Sequence, residues 1–468
     1  MKIRDIVRTA VIKTNPYWPF TTLNKTPYYF AIRIFVEACE KFPAIRAVYL
    51  RSGLAEGHWS PGLSDIDLTI VIDSRLSIDD EFAFLCSFWK RYDRLKNFFP
   101  MLGEVEILNT EQLKIWTQFG LRGYEAPQWK LLYGSETARN QYKGDRRKLI
   151  KDCLDDALSF YQGYFREKFT VHNQTSYLGS VELKRISQKI FRCLNSMNPT
   201  GSANRRVQDT GSDNVDLLYR ILAGFENDIS SFSAGNNCVS GDNGALPVKS
   251  STPLVRNSAN ATELFHLDGA IESVLRNYIG IILVVLKAGL DHSKLRNCLT
   301  ALERTFPGQM PLILTQPLFV YMQRHYDPFE YSHLVKFREL LLGDDLIPRI
   351  QPPSRDSIVG YLLGQVPNIL ALPYNRAAIL PSQRRTSSLQ RESERLVERA
   401  LLLRLYFEKG LVHPWFYELL KECQKHYPEE FVKLRGLDGN QAISPQERFR
   451  LLKGWANDVY SCLRNAAL

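Results

Sequence analysis

Tyr49-Leu-Arg-Ser-Gly-Leu-Ala-Glu-Gly-His-Trp-Ser-Pro-Gly-Leu-Ser-Asp-Ile-Asp-Leu-Thr-Ile-Val-Ile-Asp73 decides how the rest of the chain is read. A short apolar run ends in a small-residue turn at Ser52-Gly53, and after eleven further residues Asp65 and Asp67 open a second apolar run. In a strand, residues i and i+2 point to one side, so Asp65 and Asp67 project together while Ile66 and Leu68 point into a core. Two like charges held that close repel, and a divalent cation relieves them. Mg²⁺ takes oxygen ligands, commonly one or two carboxylates plus substrate phosphates, so a nucleoside triphosphate would complete the shell. Asp is depleted in strands, and Leu68 to Ile72 is too apolar for an ordinary exposed edge. The metal-nucleotide reading therefore outweighs that of a solvated strand face.

If two ions flank an in-line displacement, a third acid is needed. Met101-Leu-Gly-Glu-Val-Glu-Ile-Leu108 offers two. Gly103 lets backbone approach, and Glu104 and Glu106 share a face of a short strand. Glu106, between Val105 and Ile107, is the first choice and Glu104 the competitor. The alternative for either is a solvated strand face.

On these residues the chain resembles the DNA polymerase beta-like nucleotidyltransferase superfamily. That pattern is an apolar residue, Gly, then Gly or Ser, a spacer, then Asp, apolar, Asp or Glu, apolar. Leu50 to Gly53, Asp65-Ile-Asp67-Leu68 and the later carboxylate strand match it, over about residues 28 to 140. The wording is most similar to bacterial small-molecule and antibiotic adenylyltransferases. One order is exchanged: Ser52-Gly53 stands where such proteins read Gly-Ser. Either Ser52 supplies the hydroxyl from the adjacent position, or the phosphate grip is weakened.

The resemblance implies transfer of a nucleoside monophosphate from a triphosphate, with ATP expected, to an acceptor hydroxyl, pyrophosphate leaving. It implies two Mg²⁺ ions on Asp65 and Asp67, with Glu106 or Glu104 completing the set. Nucleotide contacts are expected from Ser52, Gly53, Ser64 and Arg51. Arg51, Lys130 and Arg122 are read either as phosphate neighbours or as solvated surface cations. The acceptor is expected to be a small molecule, with an RNA or a protein as further options. The alternative function is a weak or inactive nucleotide sensor or scaffold of the same fold, favoured by the exchanged turn.

With 468 residues the chain exceeds one ordinary core. Apolar content of 44% and aromatic content of 12% fit a globular protein. The longest apolar run, Ile279 to Leu286, is too short for a bilayer, the N-terminus has no secretory block, and no membrane partner is expected. Eight scattered cysteines without Cys-x-x-Cys argue against structural zinc or a disulfide frame and point to the cytoplasm. Cys39, Cys86, Cys153 and Cys193 fall in helical patterns and read as buried small hydrophobes. The net charge of +10 suits an anionic partner, but basic and acidic residues alternate in Arg391 to Arg399, which weakens the case for a nucleic-acid face.

The fold class expected is α/β (α+β): a nucleotidyltransferase sheet with helical domains and a second, degenerate α/β copy. Residues 1–27 form an N-terminal lead and 28–140 the catalytic domain. A helix over Tyr28 to Lys41 leads into strand Ile45 to Leu50, and Ser77-Ile-Asp-Asp80 caps a helix to about Arg94. Residues 141–226 form a helical domain, with apolar residues at three and four from Leu149 to Phe165 and from Leu183 to Met197. Tyr161 and Tyr164 fit core packing better than base stacking. Residues 227–261, rich in Ser, Asn, Gly and Asp, read as a linker, and 346–468 as a C-terminal helical domain.

Between them, 262–345 repeats the order of 68–134: an apolar strand, a helix, Pro311 to Leu314, then Leu341-Leu-Gly343 against Leu132-Tyr-Gly134. In that copy Tyr278 and Gly280 are aligned with the two aspartates, and Met310 and Leu312 with Glu104 and Glu106. An unrelated strand order in the two halves would remove the duplication.

Overall fold

Strands β1 (Ile45–Leu50), β2 (Ile66–Ile72), β3 (Leu102–Asn109) and β4 (Lys130–Gly134) build a sheet in the order β3-β2-β1-β4. β1 runs antiparallel to β2 and β4, while β2 and β3 are parallel. The parallel pair needs a crossover, and helix α4 (Ile78–Phe98) supplies it. Ser77 Oγ accepts the Asp80 N–H at 3.1 Å, the cap its sequence foretells.

Ile66, Leu68, Ile70 and Ile72 on one face of β2 join Phe35 of α2 (Phe20–Cys39) and Phe84, Leu85 and Phe88 of α4. On the other face Ala47, Tyr49, Val71 and Leu108 meet Trp129 and, from α5 (Thr110–Phe119), Leu113 and Trp116. Both faces are covered, which is why β2 reads as a continuous apolar run.

The computed structural model describes residues 3–139, 141–169, 177–195, 214–234, 254–257, 270–277, 280–289, 291–306, 311–376, 405, 408–409, 416–429 and 444–467. The chain divides into two compact units, 1–143 with 362–468, and 144–361. The boundaries expected from sequence lie elsewhere. The division at 27/28 falls inside α2, which carries Pro27 within it and follows α1 (Ile3–Thr14). The expected C-terminal domain is split, because its later part covers the first sheet's helical layer. Phe449, on the helix Pro445–Ala467, enters the α2/α4 cluster, and Lys453 Nζ lies 2.8 Å from the buried Glu81 carboxylate of α4. Periodicity reveals that a helix has a face to bury but not what covers it. The helix expected over Leu396 to Phe407 falls, apart from Leu405, outside the described residues.

In the second unit α6 (Arg146–Phe160) packs with the helices Tyr177–Asn195 and Asn214–Ala234, and the latter touches a second sheet. Tyr161 is buried, its hydroxyl donating to Ile313 O at 2.5 Å, while Tyr164 is exposed. The sheet contains β5 (Leu254–Asn257), β6 (Ile271–Asn277), β7 (Ile282–Leu286), β8 (Leu312–Thr315) and β9 (Phe337–Gly343), ordered β5-β9-β6-β7-β8. Two parts of the expected linker are thus ordered elements, the helix through Ala234 and strand β5, which pairs with β9. Ile229 and Phe232 give that helix end the apolar anchors that a count of its polar residues hides.

The two sheets share their topology. β8-β7-β6-β9 repeats β3-β2-β1-β4 with the same directions. The register breaks coincide too: Ile45/Ala47 and Val48/Tyr49 in one, Ile271/Ser273 and Val274/Leu275 in the other. Gly134 and Gly343 close the equivalent strands, both at positive φ, 84° and 76°, where an added Cβ would strike the carbonyl oxygen of Arg46 or Glu272. The condition that would remove the duplication is not met.

The register shifts the sequence alignment by one residue, however. Ile72 corresponds to Leu286, so Ile281, not Gly280, stands at the position of Asp67. Leu312 does pair with Leu283 as Glu106 pairs with Thr69. Tyr278 and Met310 lie outside the described residues. Cys39, Cys153 and Cys193 are buried as expected, but Cys86 is exposed on α4.

Candidate active site

Asp67 shares a face of β2 with Thr69 and Val71, and Asp65 immediately precedes the strand. The parallel neighbour β3 presents Gly103 to both. A Cβ built at Gly103 would lie 2.7 Å from Asp67 Oδ1 and 2.8 Å from Asp65 Cβ. The two aspartates therefore both pack against position 103, and a glycine in β3 admits them. Asp67 Oδ1 accepts the Glu104 N–H at 3.3 Å, and Tyr92 OH donates to Gly103 O at 2.5 Å. Burial, then the charge of Asp67, pushes the Tyr92 phenol up, so it stays a donor.

Glu106 and Glu104 are placed differently from expectation. Arg51, at the end of β1, lies 2.9 Å from Glu106 Oε2 through Nη1 and 3.8 Å from Glu104 Oε2 through Nη2. Its guanidinium sits 5.7 Å from the Trp116 ring centre and 5.9 Å from that of Trp129. Arg51 is only 5% exposed, so the solvated-surface reading fails for it; Lys130 is exposed and Arg122 half-buried. Burial raises the proton affinity of Glu106, opposed mainly by Arg51 and reinforced by Glu104. A guanidinium beside a pair of indoles, whose ring centres lie 5.0 Å apart, is well supported, since its flat face is weakly hydrated and attracted to the ring quadrupole. Neither tryptophan was singled out from the sequence; they lie beyond the carboxylate strand, and no spacing connects them to Arg51.

Ser52, which opens the one-turn helix α3 (Ser52–Ala55), adopts φ 55°, a left-handed conformation rarely taken by residues other than glycine. The backbone thus asks for glycine at the first turn position, and Ser52 bears the cost. Gly53 is needed for another reason: its Cβ would lie 2.7 Å from His58 O. The turn is tied to the aspartate strand by Arg51 N–H donating to Asp67 O at 2.9 Å. Ser64 is buried and fastens the intervening loop, its Oγ accepting the Ser60 N–H at 3.0 Å and its carbonyl accepting Tyr28 OH at 3.0 Å. It is a loop anchor in this arrangement, not a free hydroxyl.

Asp65 and Asp67, both packed on Gly103, are the oxygen-donor type a hard divalent cation takes, and Mg²⁺ commonly uses one or two carboxylates when phosphate oxygens complete its shell. The expected third ligand is engaged by Arg51, and among the described residues no three His, Cys, Asp or Glu side chains come together at ligand spacing. Among the described residues no helix is long and apolar enough to cross a membrane. No family model matches the chain, and no curated protein matches it.

Proposed function

We propose that the chain is a Mg²⁺-dependent nucleotidyltransferase built on a polymerase beta-like sheet, moving a nucleoside monophosphate from a triphosphate, with ATP the first choice, to an acceptor hydroxyl. The observation that carries this reading is the packing of Asp65 and Asp67 against Gly103, next to a left-handed turn at Ser52. Asp65 and Asp67 would hold the cation, which when bound would neutralise phosphate charge. The turn offers backbone near the phosphates, and Arg51 a fork of N–H donors matched to phosphate oxygens. Glu106, its proton affinity raised by burial, is the group to take the acceptor's hydroxyl proton once Arg51 leaves it. Positioning and charge complementarity supply most of such catalysis.

A nonreacting nucleotide binder is the second reading, favoured by the Arg51–Glu106 pair, which neutralises the third acid. Incubation with each α-labelled triphosphate and Mg²⁺ separates the two. Transfer is expected to yield labelled acceptor and pyrophosphate, lost in Asp65→Ala and Asp67→Ala. Label transfer that survives both substitutions would place the site elsewhere.

A further inference from the structure

A cavity of about 130 Å³ lies in the second unit at the carboxyl ends of the parallel strands β7 and β8, walled in part by the helices Asn214–Ala234 and His292–Thr305. Leu222, Leu286 and Leu295, all nearly inaccessible, give it an apolar lining, and Glu226, Lys287 and Thr315, at less buried positions, add polar groups. The two copies of the sheet treat this end differently. Thr315 pairs with Leu286 as Asn109 pairs with Ile72, and Lys287 N–H donates to Ala270 O at 3.0 Å as Asp73 N–H does to Ala44 O at 2.9 Å. In the first copy both side chains are engaged: Asn109 Oδ1 accepts the N–H groups of Glu111 and Gln112, and Asp73 holds Arg46 and Arg75. In the second, Pro317 takes the second place of the following helix and offers no N–H, and the Thr315 side chain makes no cap. Its Oγ1 is buried and, among the described residues, has no hydrogen-bond partner, which is the contact a ligand in the adjoining cavity would supply. Glu226 forms no ion pair among the described residues.

We propose that this cavity binds a free aliphatic α-amino acid of leucine's size, its side chain on the leucine lining, its ammonium at Glu226 and its carboxylate at Lys287. The assignment stands apart from the nucleotidyl-transfer reading, since it uses the copy without the aspartates. An apolar cavity of about 150 Å³ takes benzene, so this one has room for a four-carbon side chain while the charged groups stay at the more exposed residues. Lys287 carries three N–H donors and holds a carboxylate alongside another partner. The other occupants fit less well. A phosphate would set its charge against Glu226, a metal ion would meet one carboxylate beside an ammonium, and water alone would leave the leucine surface without an apolar partner.

Isothermal titration of the full chain with leucine, isopentylamine and isocaproate tests this. One leucine per chain is expected to bind, and each analogue about tenfold more weakly or worse, because each lacks one of the two charged groups. Glu226→Gln and Lys287→Met should each weaken leucine binding about tenfold, with an unchanged thermal melt showing that the variants fold. Asp65→Ala should bind leucine like the wild type. No heat with leucine at millimolar concentration would overturn the proposal, as would an analogue that binds as tightly as leucine or an affinity unchanged in both variants. Loss of leucine binding in Asp65→Ala would place the amino acid at the other site and overturn it as well.

Discussion

A methyl group at position 103 would have to displace Asp67 Oδ1 and Asp65 Cβ, both under 3 Å away. Gly103→Ala is therefore expected to weaken Mg²⁺-triphosphate binding by about tenfold or more and to cost about 1–3 kcal/mol of stability by overpacking. Calorimetric titration and urea denaturation read the two effects, and unchanged affinity would contradict the cradle. Ser52 makes the complementary case. A left-handed backbone costs an ordinary residue about 1–2 kcal/mol, and more where the side chain branches at Cβ. Denaturation midpoints should fall in the order Ser52→Gly, wild type, Ser52→Val; a Val variant as stable as wild type would show the turn to be unstrained. The aspartate pair and Gly103 were legible in sequence because a period-two strand and a lone glycine have short-range meaning. The fate of Glu106 was not, because it depends on Arg51 and two tryptophans that only the folded sheet brings together.

Helix-to-helix contacts carry the parts that local patterns leave open. Lys453 and Glu81 are both nearly inaccessible, and the Lys453 ammonium also lies 4.4 Å from the Tyr374 ring centre. Burial depresses the proton affinity of Lys453 and raises that of Glu81, while each opposes the shift of the other. Lys453→Met leaves a buried, uncompensated carboxylate and should destabilise the first unit by about 3–5 kcal/mol. The double variant Glu81→Leu with Lys453→Met should recover most of that loss, and equal damage in single and double variants would refute the pairing.

In the second unit the hairpin between β6 and β7 is closed by Asn277, whose side chain accepts the Ile281 N–H and donates to Glu330 at 2.8 Å. Burial raises Glu330 to about 7 from an ordinary 4.5. The native state then holds a proton that the unfolded chain releases, so stability is full below about pH 4.5 and falls as pH rises toward 7. Glu330→Gln should flatten that slope in denaturation at pH 5 and 7.5; a slope that persists would assign it to another group. The strands and capped helices were predictable since each states its own start, period and stop. The route of the C-terminal segment back to the first unit was not, since no local rule encodes a partner this distant in sequence.

Across the molecule, one topology occurs twice with unequal contents. The first sheet opens its β1–β2 connection into a loop that carries Ser52, Gly53, Asp65 and the ring of Trp59. The second closes the same connection as a tight hairpin, with Asn277 N–H donating to Ile281 O at 3.0 Å and Gly280 at φ 84°. Asn277 takes the place of Arg51, Ile281 of Asp67 and Leu312 of Glu106. Among the described residues no carboxylates stand at the positions of Asp67 and Glu106 there, so the second copy keeps the strand order without those acids. Calorimetric titration of the full chain with a nonhydrolysable triphosphate and Mg²⁺ brings these statements to one number. One nucleotide per chain, bound in the wild type and lost in Asp65→Ala and Asp67→Ala, is the expected result. Two nucleotides per chain, or one whose affinity ignores both aspartates, would contradict it.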